Sequence, residues 1–119
     1  VNLLKDPDPD IRGAAIQVLG VKAHPKSLNS QVKHLKDPTP AVRVHTGVAL
    51  GHFKDVRLAP SLVSLLGDDD EQLVISAARS LGSIGSPDSS GPLSQLAKDS
   101  RSSVRISAVK SLSELPLKG

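Results

Sequence analysis

Apolar and small residues recur along this chain at helical spacing. Between Asp37 and Phe53 they fall at 42, 46, 50 and 53, the stripe of an amphipathic helix. Asp37-Pro38-Thr39-Pro40 supplies a turn ahead of it, with N-cap residue types and a proline that the first helical turn tolerates. A shorter helix is predicted before this turn, roughly over 26–36, with Leu28, Val32 and Leu35 on one side. Similar short helices are predicted over 58–67, striped by Leu62, Leu65 and Leu66, and over 90–98. Pro60 and Pro92 lie near their starts, where proline is favoured, and Gly85-Ser86-Pro87-Asp88 reads as a turn. No segment alternates with the period of two that a half-buried strand requires. The pattern predicts an all-α chain of helical hairpins.

The hairpins repeat. Asp6, Asp37, Asp68 and Asp99 are spaced 31 residues apart. Five residues after each comes an aliphatic (Ile11, Val42, Leu73, Val104), then Arg12, Arg43 and Arg105, with Val74 the exception. Further columns hold Ala15, Thr46, Ala77 and Ala108, and then Leu19, Leu50, Leu81 and Leu112. Next come Gly20, Gly51 and Gly82, with Ser113 in the last unit, and a final column of Phe53, Ile84 and Leu115 that departs at Lys22. Such self-similarity describes a solenoid, with a partial unit at about 1–23 and units at 24–54, 55–85 and 86–119. Leu3-Leu4 share columns with His34-Leu35 and Leu65-Leu66, so the sequence opens partway through a unit. A solenoid end normally carries a polar face, and further repeats are therefore expected before Val1. The glycine column sits near the end of each long helix, where it serves either a left-handed cap or a close helix crossing.

The unit LVSLLGDDDEQLVISAARSLGSIGSPD, with the aliphatic–Arg pairs Ile11-Arg12, Val42-Arg43 and Val104-Arg105, resembles the HEAT-like repeats of the phycobilisome-lyase type. The resemblance runs from Leu3 to Leu115. It implies an α-solenoid, a right-handed superhelix of antiparallel helix pairs whose second helices line the concave side. It also implies protein–protein association, with bilin attachment to phycobiliproteins assisted by some members. Val74, Ser80 and Ser111 depart from the usual columns, and Gly47 weakens its helix by about 1 kcal/mol relative to Ala.

Composition narrows the chemistry. The apolar residues are 17 Leu, 12 Val, 10 Ala, 5 Ile and the single Phe53, without Trp, Tyr, Met or Cys. A core of small aliphatics reaches native density only if helix backbones approach closely. The lack of cysteine excludes disulfides, thiolate metal sites and cysteine nucleophiles. No apolar run approaches the roughly 20 residues of a membrane helix and no charged-then-apolar leader opens the sequence, so the expectation is a cytoplasmic protein without a membrane partner. A net charge of +3 does not by itself point to nucleic acid. Residues 6–36 carry five basic and three acidic groups, but residues 68–98 carry two against five. A continuous positive groove is therefore interrupted, and bases would find almost no aromatic platform. DNA binding, as in the HEAT-like alkylpurine glycosylases, ranks below protein binding.

The pairs Asp6/Arg12, Asp37/Arg43 and Asp99/Arg105 read as a structural ladder, in which each Asp can cap backbone N–H groups and each Arg pairs with an Asp of its own or a neighbouring unit, because a residue present once per unit serves what every unit needs. Asp68 loses its own Arg at Val74, so that interface is expected to be looser. His45 and His52 stand about 10 Å apart along one helix, too far to share a metal ion, and the His-Glu metal pairs of the HEAT-like deoxyhypusine hydroxylases are missing. Serines lie in linkers and small-residue columns, away from any nucleophile elbow. Only Glu71 and Glu114 represent glutamate, and no paired-carboxylate cleft is suggested. No catalytic residue, metal or cofactor is assigned.

The stripe 11, 15, 19 and 22 with its repeats is expected to be buried, leaving 10, 13, 14, 17 and 21 on the opposite face. There the second unit places Ala41, Val44, His45, Val48 and His52. The third places Gln72, Ile75, Ser76 and Arg79, and the fourth Ser103, Ile106 and Lys110. These columns vary between units, and several are aliphatic where solubility alone would favour charge, which marks an interaction surface. The expected function is a non-catalytic scaffold that binds a protein or peptide along its concave helix face. The alternative is a bilin-lyase-like subunit that holds chromophore or phycobiliprotein.

Overall fold

The computed structural model describes residues 2–116. Val1 and residues 117–119, at the outer bounds of the first and last expected units, lie outside the described residues. The helices are α1 (Pro9–Lys22), α2 (Leu28–Val32), α3 (Pro40–Gly51), α4 (Ala59–Val63), α5 (Glu71–Ile84), α6 (Ser90–Leu96) and α7 (Ser102–Glu114). Single 3₁₀ turns precede the short helices, at Pro25–Ser27, Val56–Leu58 and Pro87–Ser89, and another spans Leu3–Lys5. No strand occurs among the described residues.

The long helices α1, α3, α5 and α7 pack on one another in sequence and form one layer. The short helices form a second layer, each resting chiefly on the long helix that follows it. Leu50, Leu62, Leu81 and Leu93 are fully buried in one cluster between the layers, and Leu73 is fully buried as well, so the stripe expected from sequence is the core in α3 and α5. A smaller apolar cluster of Leu4, Ile16, Val42 and Ala49 joins α1 to α3.

The recurring aspartate has a local task. Asp6, Asp37, Asp68 and Asp99 each accept, at Oδ1, the backbone N–H two residues on. This is an Asx turn; the residue that caps the helix itself stands two positions later. Asp8 accepts from Asp10 N, and Asp70 accepts from Gln72 N and Leu73 N, whereas Thr39 and Arg101 at the same position make no side-chain cap bond.

The structure decides the role of the glycine column. The left-handed residues that end the helices or start the linkers are Ala23, Lys54 and Gly85. Gly20, Gly51 and Gly82 lie inside their helices at the crossings. A Cβ on Gly20 would come within 2.5 Å of Ala49 Cβ, and one on Gly82 within 3.0 Å of Ser111 Cα. The partner residue is always 29 positions on, in the column holding Ala49, Ser80 and Ser111. Buried hydroxyls in this seam bond to helix carbonyls: Thr46 to Val42 O at 2.7 Å, Ser111 to Ser107 O at 2.8 Å, and Ser80 to Gly47 O in the neighbouring helix. Small polar residues therefore fill it without orphaned groups.

One core position breaks the pattern. Gln31 shares its column with Leu62 and Leu93, and all three are fully buried. Its Nε2 donates to Ser27 Oγ at 2.9 Å, but Oε1 has no partner. An unpaired buried amide oxygen carries a desolvation penalty that leucine does not. Gln31→Leu is therefore expected to stabilise the fold by about 1–2 kcal/mol, read as a higher urea midpoint at unchanged slope.

Candidate functional site

The open face of the long-helix layer carries most of the residues expected there. Ala41 and Val48 on α3, His52 just past its end, Gln72 and Arg79 on α5, and Ile106 and Lys110 on α7 are exposed. Val44, His45 and Ser103 are half-buried. Two expectations need correction. Ser76 is buried, with its Oγ donating to Leu73 O at 2.9 Å and lying where a Cβ on Gly47 would fall. Ser76 sits in the helix crossing and cannot face a partner, although His45 in the same column lies on the open face. Ile75 is partly covered and packs against the main core, so it contributes an edge and not a free surface.

Adjacent long helices leave grooves between them. The first, about 340 Å³, is lined by Gln17, Val21, His45, Val48, Ala49 and His52 between α1 and α3. The second, about 300 Å³, is lined by Pro40, Ala41, Val44, His45, Asp70 and Gln72 between α3 and α5. His45 forms a wall of both, and Gln17 Nε2 lies 2.9 Å from its Nδ1. Arg79, Ser103, Ile106 and Lys110 line neither groove. Ser103 instead bonds Glu71 across the α5–α7 crossing. Pro40 and Asp70 were not expected in the site. Both stand at helix starts, where the apolar period carries no information, and only the approach of neighbouring helices brings them to the groove.

The ladder has one complete rung. Arg12 Nε and Nη2 each donate to an oxygen of Asp37 at 3.0 Å, joining the first unit to the second. The side chains are 13% and 4% exposed. Burial pushes the Asp37 carboxyl up, but the Arg12 bonds and the Thr39 N–H outweigh it and hold the carboxyl below the usual range. The other arginines turn inward to their own units: Arg43 donates to Asp37 O at 2.6 Å and Arg105 to Asp99 O at 2.9 Å. Arg12 does the same to Asp6 O at 2.8 Å. The common role of this column is thus to hold the carbonyl six residues back, and the inter-unit pair is an addition made once. Asp99 pairs with Arg101, which holds its carboxyl down at about 2. Val74, in the arginine column, is fully buried in the main core. The expected loosening beside Asp68 gives way to apolar packing there.

The HEAT repeats family model matches residues 1–79, two thirds of the sequence. The chain belongs to the HEAT-repeat family. No curated protein matches it. Among solved structures, this HEAT-repeat chain is similar in fold to the complex of CpcE and CpcF of phycocyanin lyase from Nostoc sp. PCC7120, with a TM-score of 0.76 and 23% identity. That match covers 88% of this chain and 44% of the other. An engineered protein matches with a TM-score of 0.75 and 21% identity, over 94% of this chain and 59% of the other. The HEAT-repeat chain therefore spans about half the length of the structures it resembles. These likenesses agree with the α-solenoid and the HEAT-like repeat that the columns suggested. No helix among the described residues is long and apolar enough to cross a membrane.

Proposed function

We propose that this HEAT-repeat chain is a non-catalytic scaffold that binds an extended peptide or a protein segment across the open face of its long helices. The observation that carries the reading is the pair of adjoining grooves that share His45, with aliphatic floors at Val44 and Val48 and polar rims at Gln17, Gln72 and Asp70. The long helices cross at glycine, whereas the short helices touch one another little, which supports curvature toward the long-helix side. A concave, unpaired and partly apolar strip is the usual setting for such binding in repeat proteins. Charge on this face is mixed, Arg79 and Lys110 against Asp10, Asp70 and Glu114, so a phosphate backbone would find no positive stripe.

Peptides selected from a displayed library on the wild-type chain test the reading. Val48→Glu is expected to weaken their binding at least about tenfold. Val56→Glu, equally exposed but on a 3₁₀ turn outside both grooves, is expected to change nothing. Peptides indifferent to Val48 would reject this surface.

The likeness to the phycocyanin lyase complex supports a second reading, a lyase-like subunit that holds a bilin or a phycobiliprotein. A bilin absorbance shift on mixing, lost with Val48→Glu, would favour it. No Phe, Tyr or Trp lines either groove to stack on a pigment, and only the smaller rings of His45 and His52 are present, which places this reading second.

A further inference from the structure

A further groove lies in the short-helix layer, away from the open face of the long helices. It runs between the short helices of the second and third units and has a volume of about 400 Å³. Leu28, Asn29 and Val32 form one bank, and Arg57, Leu58 and Ser61 the other. No residue of a long helix lines it. Both banks lie between α1 and α5, so the groove is complete within the described residues. Leu28 and Val32 are half-buried against the main core and leave an aliphatic floor, while Asn29 and Arg57 are exposed at the rim.

The positive charge of the chain is concentrated on these banks. Residues 22–33 and 54–61 hold five of the 15 lysines and arginines (Lys22, Lys26, Lys33, Lys54 and Arg57) but one of the 12 acidic residues, Asp55. Without these two segments the chain would be slightly acidic. Lys26 and Lys33 stand three residues before and four after Asn29, which puts all three on one side of the helical path. The four lysines form no ion pair among the described residues. Arg57 Nε and Nη2 both donate to the Asp55 carboxylate, which fixes the guanidinium at the rim with its side chain 83% exposed.

The repeat supplies an internal comparison. Lys26 and Arg57 share a column whose last member is Asp88, and the columns of Leu28 and Val32 end in Ser90 and Ser94. With those residues in place α6 still packs on α7, so stacking demands neither a cation nor these aliphatics. We infer that the groove binds an acidic segment of a partner protein. Its aliphatic side chains rest on Leu28, Val32 and Leu58, and its carboxylates meet Lys26, Lys33 and Arg57. A phosphate backbone following the stack would gain the cations of two units and meet Asp88 on the next. Its bases would find no aromatic ring in the groove. The site lies on the other layer from the open face, so the two readings stand or fall separately.

Fluorescence anisotropy of a short labelled peptide of Asp, Glu and Leu tests this. A peptide of Asp and Glu alone, a peptide of Lys and Leu, and a duplex DNA serve as comparisons. The acidic, leucine-bearing peptide is expected to bind saturably and to weaken as salt rises. Lys26→Glu and Arg57→Gln, both at exposed positions, should together weaken it at least about tenfold. Val32→Ser, which installs the residue of the last unit, should weaken it severalfold. Lys98→Glu makes the same change of charge as Lys26→Glu at an exposed position outside the groove, and should stay within about twofold of the wild type. Should Val32→Ser lower helicity, Asn29→Glu places a negative charge in the groove from an exposed position and should weaken binding about tenfold. An equal loss with Lys98→Glu would mean diffuse attraction and overturn the inference. So would the duplex, or the peptide without leucine, binding as tightly as the acidic, leucine-bearing one. No saturable binding of that peptide up to about 1 mM would overturn it as well.

Discussion

Gly51→Val is expected to destabilise the fold by about 3 kcal/mol, lowering the melting midpoint by about 10 °C. A Cβ at Gly51 would lie 2.8 Å from Ser80 Oγ and 3.1 Å from Ser80 Cα. The hydroxyl could rotate away, but the backbone of α5 could not without shifting the whole helix. The two further methyl groups of valine meet the same wall. Because α3 and α5 are interior to the stack, the loss should appear in the global transition and not as fraying of one end. Two companion variants isolate the cause. Gly91→Ala, with nothing within 4 Å of the added Cβ, should stabilise by about 0.5–1 kcal/mol through helix propensity alone. Gly51→Ala should destabilise, and adding Ser80→Gly should show a favourable coupling of about 1 kcal/mol, since removing the facing Cβ reopens the crossing. A Gly51→Ala chain as stable as Gly91→Ala would mean that the helices are not held at this distance.

Arg12→Leu is the second large effect. It removes both charge-assisted bonds from Asp37, leaving a carboxylate that is 4% exposed with only the Thr39 N–H. A buried charge stripped of its partner is expected to destabilise by about 2 kcal/mol at neutral pH. The pH dependence identifies the mechanism. In the wild type the folded-state pKa of Asp37 is depressed below 3.8. The pair therefore contributes stability above that value and loses it as pH falls through the depressed one. In Arg12→Leu burial is opposed by the Thr39 N–H without the guanidinium, so Asp37 takes up its proton more readily and the variant loses less on acidification. Urea midpoints of the two chains should differ most near pH 7 and converge toward pH 3. Asp37→Asn in the Arg12→Leu background should restore part of the loss at neutral pH and remove the convergence. A pH-independent gap would assign the effect to lost packing of the Arg12 stem.

Particular positions show how far the residues alone could lead. The stripe of Val42, Thr46 and Leu50 was legible because one face of a helix must leave water, and the 3.6-residue period records which. Repetition supplied the rest of the architecture: four aspartates at a constant step fix the unit length whatever each unit packs against. The open face of the long helices was legible only in part. The columns of Ala41, Val48 and His52 were placed correctly as exposed, while Ser76 looked equally suited to solvent. Serine is small and polar and is compatible with either setting. What moved it inside was the approach of Gly47 from the neighbouring helix, a relation that periodicity within a single helix does not encode.

The ladder illustrates the same division. The constant spacing of six left each Arg a partner Asp in its own or a neighbouring unit; Arg43 holds the Asp37 carbonyl, and Arg12 of the preceding unit holds its carboxylate. Spacing restricts which groups can meet, but guanidinium reach and the offset between units choose among them. Sequence by itself determined the helical class, the 31-residue unit, the core columns, the absence of thiols and the scarcity of large aromatic side chains, because these follow from local periodicity and composition. Only the tertiary structure decided that the glycine column makes crossings and not caps, that Ser76 is interior, and that Arg12 reaches across to Asp37. Those are distances between backbones, set when four helices share one layer, and no single helix carries them.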